Sequence, residues 1–188
     1  MQRQINEKTK SAHFQIKNIW SIRKCLTEDA TKTLVSALVV PKLDYCNSLL
    51  YGAKQSLQAK LQRTQNAAVR VIKKVRKRNH ITPHLKDLHW LPVRYRIEFK
   101  ILLLTYKSLH GLAPHYITEL LKKLRNTRRE QNKLLVPEIN LKRTGSKAFS
   151  YSAPYLWNVL PKDIREAAST DIFKKKLKTF YFEKHFCK

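Results

Sequence analysis

Residues 93–110 have the sequence VRYRIEFKILLLTYKSLH, and this stretch decides the fold class. Apolar side chains recur in it at spacings near three and four, the pattern of a helix with one buried face. They are Ile97, Ile101, Leu102, Leu104 and Leu109. Gly111 follows directly, and glycine often ends a helix because it accepts the left-handed conformation. The stretch therefore predicts a helix over 93–110 and a mainly α fold.

Helical periodicity continues on the N-terminal side of this stretch. We expect helices over residues 5–24, after the N-cap Thr27, after the cap Ser56, and from Thr82-Pro83, where proline suits the first helical position. Pro114 predicts a further short helix on the C-terminal side. Together these elements predict a helical bundle that forms one domain over residues 1–124.

The composition changes abruptly at residues 125–133, RNTRREQNK, which we interpret as a basic linker. Beyond it, LLVPEINL (134–141) and KAFSYSA (147–153) have strand-like propensity. They predict a hairpin in which Pro137 confines its strand to an edge. Ser169 is expected to cap a final helix. Residues 134–188 are therefore predicted to form a small α+β C-terminal extension.

The charge balance points to a polyanionic partner. Lys and Arg number 39 against 13 Asp and Glu, which gives a net charge of +26, and the sequence pI is about 10.3. A compact domain with that surplus repels itself unless a polyanion neutralises it. We favour RNA or DNA, because scattered Lys and Arg can follow regularly spaced phosphates. An anionic membrane or an acidic protein is the competing interpretation.

The cysteines and the apolar segments indicate the compartment. Cys25, Cys46 and Cys187 show no C-x-x-C spacing, which argues against a disulfide framework and a zinc knuckle. The N-terminal sequence MQRQINEKTK is polar and is not a secretory signal. No apolar stretch reaches about 18 residues, the length needed to span a bilayer. We expect a nuclear or cytoplasmic protein with no membrane partner.

Three stretches, taken together, resemble a known family. They are PKLDYCNSLLYG (41–52), HITPHLKDLHWLPVRYRIEFKILLLTYKSLHGLAPHYI (80–117) and AFSYSAPYLWNVLPKDIREAASTDIFKKKLKTF (148–180). In this order they resemble the region downstream of the polymerase core in LINE-type, jockey-like non-LTR retrotransposon reverse transcriptases. The resemblance extends from about residue 11 to the end of the chain.

That resemblance implies a fold and a role. The helical domain would correspond to the thumb, which holds template and primer behind the active site, and the extension would assist RNA recognition. Fingers, palm and endonuclease-like domain would lie outside this chain, which we therefore expect to be a truncated element copy or an excised piece. The missing polymerase core is a further partner that the resemblance implies.

The family's polymerase signature, Tyr-x-Asp-Asp, has no counterpart here, because the sequence contains no Asp-Asp pair. Asp44-Tyr45 lacks the second carboxylate. Nucleotidyl transfer by two metals requires carboxylates that converge on ions about 4 Å apart, whereas the five aspartates are dispersed along the chain. We expect no catalytic activity, no cofactor and no small-molecule substrate.

Two groups of histidines have spacings that zinc ligands can adopt. The groups are His80, His84 and His89, and His110 and His115. Pro83 interrupts the first group, Gly111 and Pro114 interrupt the second, and no nearby cysteine completes either set. We therefore favour a structural or incidental role over metal binding.

Basic residues form a dense first cluster of candidate phosphate contacts. Its members are Arg70, Lys73, Lys74, Arg76, Lys77 and Arg78. Four of them are spaced i, i+3, i+4 and i+7, which predicts one stripe on a helix anchored by Val71, Ile72 and Val75. No acidic residue lies between Lys60 and Arg78 to form pairs along that helix. We therefore favour phosphate binding over a solvated helix face.

Two further clusters lie in the C-terminal half. The second cluster is Lys122, Lys123, Arg125, Arg128 and Arg129, with Lys133 beside it. Disorder is its alternative, and the two are compatible because basic linkers can order on RNA. The third cluster is Lys174, Lys175, Lys176 and Lys178, for which a solvated face and an RNA contact stay equally open.

Five aromatic residues can in principle stack on bases. They are Trp20, Trp90, Tyr95, Trp157 and Phe180, and we favour packing in the core for them. The expected function is non-catalytic binding of RNA template or DNA primer during target-primed reverse transcription. The alternative is a protein-interaction module that docks on the polymerase core, which an exposed Leu/Ile stripe on residues 97–109 would favour.

Overall fold

The computed structural model describes residues 1–124, 132–140 and 142–187, and helix is their dominant structure. The helices are α1 (Gln2–Ser21), α2 (Glu28–Leu38), α3 (Val40–Asp44), α4 (Gln55–Lys73), α5 (Thr82–Asp87), α6 (Val93–Leu109), α7 (His115–Thr118), α8 (Lys142–Gly145), α9 (Phe149–Val159), α10 (Lys162–Arg165) and α11 (Thr170–Phe186). The prediction of a mainly α fold is confirmed. Of the helices described, none is both long enough and apolar enough to cross a bilayer.

The chain divides into two compact units, Met1–Arg96 and Ile97–Lys188. The division falls within α6, whereas the sequence predicted a boundary at residues 125–133. Residues 125–131 of that predicted linker lie outside the described residues. Its role as a linker stays a prediction.

The first unit is built on the pairing of α1 with α4. The buried face of α1 carries Ile5, Ala12, Ile16 and Ile19, and the buried face of α4 carries Leu57, Leu61, Ala68 and Ile72. The helices α2 and α3 contact both of them. Burial of these apolar faces is the main favourable contribution to this unit.

Side chains cap two helix ends in the first unit. The Oγ1 atom of Thr27 accepts a hydrogen bond from the backbone N–H of Ala30 at 3.2 Å, which confirms the predicted N-cap of α2. At the C-terminal end of α4, the buried guanidinium of Arg23 donates to the carbonyls of Val71 and Ile72, both at 2.8 Å. It also donates to the carbonyl of Leu26 at 2.7 Å. These bonds satisfy carbonyls that a helix end would otherwise leave without partners.

Aromatic residues form the core of the second unit. The ring of Tyr106 stacks on Phe173 at 4.3 Å and on His110 at 4.0 Å between ring centroids. Its hydroxyl donates to the carbonyl of Ala167 at 2.7 Å. Burial raises the pKa of the Tyr106 phenol above its ordinary value. Trp157 is also buried, at 1% exposure, as the sequence predicted.

The predicted hairpin is wrong. Residues 149–153 belong to α9, in which Pro154 lies inside the helix. The buried residues Ala153, Trp157 and Leu160 are spaced three and four apart, which is the spacing of one helical face. Burial of this face outweighs the preference of the aromatic residues in this segment for a β-strand. In the described residues the only strand-like pairing is one isolated antiparallel bridge, between Lys123 and Leu134.

Three predicted helix starts can be compared with the structure. Ser169 caps α11, since its Oγ atom accepts from the N–H of Ile172 at 3.3 Å, as predicted. Ser56 is not the cap of α4, because that helix begins one residue earlier and Lys54 occupies the N-cap position. Pro114 is the N-cap of α7, which agrees with the predicted short helix.

Candidate nucleic-acid interface

The first basic cluster does not form the predicted helical stripe. The helix α4 ends at Lys73, and Lys74 adopts the left-handed conformation with φ of 52°. The next helical turn would use the carbonyls of Val71 and Ile72, but Arg23 already bonds to both. The N–H of Val75 instead donates to the carbonyl of Arg70 at 3.2 Å, as in a closed helix end. Lys74 and Lys77 therefore lie beyond the helix.

Lys73 is neutralised by two carboxylates. Its Nζ atom lies 2.5 Å from Oε1 of Glu28 on α2, and it also pairs with Asp87 at the end of α5. The hydrogen bonds that Lys73 donates to Asp87 and Glu28 raise the pKa of Lys73, and the bond to Asp87 lowers the pKa of Asp87. The absence of acidic residues between Lys60 and Arg78 therefore does not leave Lys73 unpaired, because both of its partners are distant in sequence.

Arg70 supports the backbone that follows α4. Its Nη2 atom donates to the carbonyls of Lys77 at 3.3 Å and of Asn79 at 3.5 Å. The N–H of Asn79 donates to the carbonyl of Arg76 at 3.1 Å and closes a turn. Arg70 thus has a structural role in holding the loop, although the sequence suggested a phosphate contact.

The remaining cations of the cluster lie together in an exposed segment, which we call the basic loop. It carries four exposed side chains within five residues: Lys74, Arg76, Lys77 and Arg78. Within the described part of the chain, no carboxylate forms an ion pair with any of them. The loop therefore presents four positive charges. Its backbone is held by hydrogen bonds from Arg23 at the end of α4 and from Arg70 to the carbonyls of Lys77 and Asn79.

The second cluster is described only in part. Lys122 and Lys123 are exposed, and Arg125, Arg128 and Arg129 lie outside the described residues. The backbone around Lys123 pairs with a later segment, since the N–H of Leu135 donates to the carbonyl of Lys122 at 2.8 Å and the N–H of Leu124 donates to the carbonyl of Lys133 at 3.0 Å.

A cavity of about 440 Å³ in the second unit has basic residues in its wall. The basic side chains there include His110, Lys123, Lys133 and Arg165, with the carboxylate of Glu166 beside them. This group is not apparent from the sequence, because Arg165 lies far along the chain from Lys123. The pairing of residues 122–124 with 133–135 is what brings part of the group together.

Half of the third cluster is paired with carboxylates. Lys174 contacts Asp171 at 3.0 Å, and Lys176 lies 4.0 Å from Asp163 and also donates to its carbonyl at 2.9 Å. Lys175 and Lys178 are exposed. This cluster therefore has a lower density of unneutralised charge than the basic loop.

The aromatic residues do not all pack as predicted. Trp157 is buried and its Nε1 atom donates to the carbonyl of Asn132 at 2.8 Å. Trp90 and Phe180 are half-buried. Trp20 is 57% exposed, so its predicted core position is wrong. On α1, Ile19 occupies the buried position next to it, and consecutive residues of a helix point about 100° apart.

The described residues contain no group of three or more His, Cys, Asp or Glu side chains arranged to hold a metal ion. Asp44 of the KLDYC segment pairs with the guanidinium of Arg96, with 2.8 Å between Nε and Oδ1. This carboxylate therefore has a structural partner in the first unit. The three cysteines are exposed free thiols.

The described residues thus define a strongly basic, mainly helical protein whose most concentrated unpaired charge lies in one loop. Comparison with family models, with curated proteins and with solved structures finds no match for this chain.

Proposed function

We propose that this protein binds nucleic acid without sequence preference and that the basic loop supplies the phosphate contacts. The observation that carries the proposal is the contrast between Lys73, which two carboxylates neutralise, and the four exposed cations that follow it. Cations that already have carboxylate partners gain less from a phosphate, whereas unpaired cations attract one and release its counterions.

The held backbone of the loop supports this proposal. Arg70 bonds to two of its carbonyls, and Arg23 fixes the helix end from which it starts. Only the long side chains then need to be ordered when a phosphate binds, which reduces the entropic cost of binding. Contacts of this kind give affinity and position but carry little sequence information.

The resemblance to retrotransposon reverse transcriptases extends the proposal. In that setting the chain is a non-catalytic, thumb-like part that holds RNA template or DNA primer during target-primed reverse transcription, in the nucleus or the cytoplasm. The net charge of +26 supports the nucleic-acid partner.

An exposed Leu/Ile stripe on residues 97–109 would have favoured the alternative, a protein-interaction module. Instead Ile97, Ile101 and Leu102 are buried, with at most 2% exposure, and the other leucines of α6 are half-buried. The burial of this face favours nucleic-acid binding over docking through α6.

A salt titration of binding tests the proposal. The dissociation constant of the full chain is measured for a single-stranded oligonucleotide, a duplex and a structured RNA, each in two unrelated sequences. We expect log K to fall linearly with log salt, and the two sequences of each form to bind alike. A dissociation constant that does not change with salt, or a strong preference for one sequence, would contradict the proposal.

A further inference from the structure

We infer that Trp20 is a stacking platform for an unpaired base, and that the nucleic acid held by the basic loop is single-stranded where it crosses α1. This inference rests on the proposed function and adds the class of nucleic acid to it. It starts from the 57% exposure of Trp20, because an indole is normally packed in a protein interior.

Three contacts fix the register of α1 against α4. The Nζ atom of Lys60 donates to Oδ1 of Asn6 at 2.6 Å, and Oγ1 of Thr64 lies 3.2 Å from Nε2 of His13. Arg23, just after α1, bonds to the carbonyls of Val71 and Ile72. Residues later in α1 contact residues later in α4, so the two helices run in the same direction.

This register places Trp20 beside the last turns of α4. Trp20 follows His13 by seven residues, close to two helical turns, so the two share the flank of α1 that borders α4. Along the axis it lies between the His13 contact and the Arg23 contact. The basic loop begins at Lys74, immediately beyond the carbonyls that Arg23 holds. The axial distance from Trp20 to Lys74 is therefore roughly 5–10 Å, from the rise of 1.5 Å per residue.

The surface around Trp20 has the composition of a single-strand binding site. Ile22 is 50% exposed and Lys24 is exposed, so apolar surface and positive charge follow Trp20 along the chain. An aromatic face beside a row of cations matches the two parts of a single strand, whose bases stack while its phosphates are neutralised. Bases inside a duplex already stack on one another and offer no free face to an indole.

The same helix provides a matched control. Phe14 is 61% exposed, much like Trp20, but lies six residues away and so points about 120° from it around the helix. A general effect of exposed aromatic surface would involve both residues, whereas stacking next to the basic loop involves Trp20 alone.

The experiment compares the full-length chain with Trp20→Ala, Trp20→Phe and Phe14→Ala. Binding to a fluorescein-labelled dT20 and to a duplex of equal length is measured by anisotropy across a salt series. We expect Trp20→Ala to weaken dT20 binding by about five-fold or more, the usual effect of losing one stacked base. Duplex binding and the salt slope should not change, because no charge is removed. Trp20→Phe should retain most of the affinity, and Phe14→Ala all of it.

Tryptophan emission gives a second measurement. Addition of dT20 should quench the emission of the wild-type chain, and this quenching should disappear in Trp20→Phe while binding persists. Equal losses for dT20 and duplex, equal effects of Trp20→Ala and Phe14→Ala, or undiminished quenching in Trp20→Phe would each overturn the inference. Any of these results would refute base stacking on Trp20 but would not contradict the proposed salt-dependent binding. Failure of the proposed function differs, because it abolishes the salt slope in the wild-type chain.

Discussion

Replacing the four cations of the basic loop by glutamine is the most direct perturbation of the interface. The variant carries Lys74→Gln, Arg76→Gln, Lys77→Gln and Arg78→Gln, and lowers the net charge from +26 to +22. Because all four side chains are exposed and unpaired among the described residues, the fold should be nearly unaffected, within about 0.5 kcal/mol. Circular dichroism and thermal melting check this first.

The size of the binding effect follows from the number of contacts. Each phosphate contact contributes about 0.7 to the slope of log K against log salt on single strands and about 0.9 on duplex. If all four cations bind phosphates, the slope becomes shallower by about 2.8 on a single strand. Anisotropy titrations between low and moderate salt measure this slope, and the loss should be similar for unrelated sequences.

A control variant with the same net charge, in which four scattered lysines are replaced, distinguishes the effect of the loop from the effect of the total charge. It carries Lys10→Gln, Lys54→Gln, Lys100→Gln and Lys147→Gln, four exposed lysines on different parts of the chain. Its slope should change much less than that of the loop variant. If both variants change the slope equally, binding depends on net charge and the reasoning about the loop is refuted.

Three further predictions concern the contacts that support the interface and the second unit. Arg23→Gln removes bonds to three buried or helix-end carbonyls and should lower the free energy of unfolding by about 3 kcal/mol in urea titrations; a change below about 0.5 kcal/mol would refute the capping role. Lys73→Gln should lower the melting temperature without changing the salt slope of binding. Because the pKa of Asp87 is lowered from 3.8 and that of Lys73 raised from 10.5, the stability from this pair is present above pH 4 and below pH 10. The difference from wild type should shrink as pH falls through the lowered pKa of Asp87 or rises through the raised pKa of Lys73. A difference that stays constant through both of these changes in pH would contradict the pairing. Asn158→Ala removes two bonds to the backbone of Leu134, at 2.9 and 2.8 Å, and should cost about 2 kcal/mol in the same urea assay, whereas Asn140→Ala, at an exposed position, should cost little.

Features that depend on neighbouring residues were predictable from the sequence. The helix α6 was expected over 93–110 and spans Val93–Leu109, because its apolar spacing is a local property. The caps Thr27 and Ser169 were predictable for the same reason, since each bonds to an N–H three residues later. The predicted hairpin failed where two local signals conflicted, and the buried face of α9 decided between them.

The candidate site depended on contacts between distant residues. The end of α4 at Lys73 is set by Arg23, which bonds to carbonyls 48 and 49 residues away. The partners of Lys73 come from α2 and α5, so a search for acidic residues along one helix did not find them. The exposure of Trp20 was accessible in principle, because Ile16 and Ile19 already occupy the centre of the buried face of α1.

The capping of α4 by Arg23 makes the shape of the basic loop a property of the folded unit and not of the segment that contains it. In a synthetic peptide covering residues 55–81, the carbonyls of Val71 and Ile72 would be open to the N–H groups of the next turn. The helix could then continue past Lys73 and align Lys74 and Lys77 along one face. Such a peptide would display the same charges in a different arrangement, so its affinity for nucleic acid does not substitute for that of the intact protein.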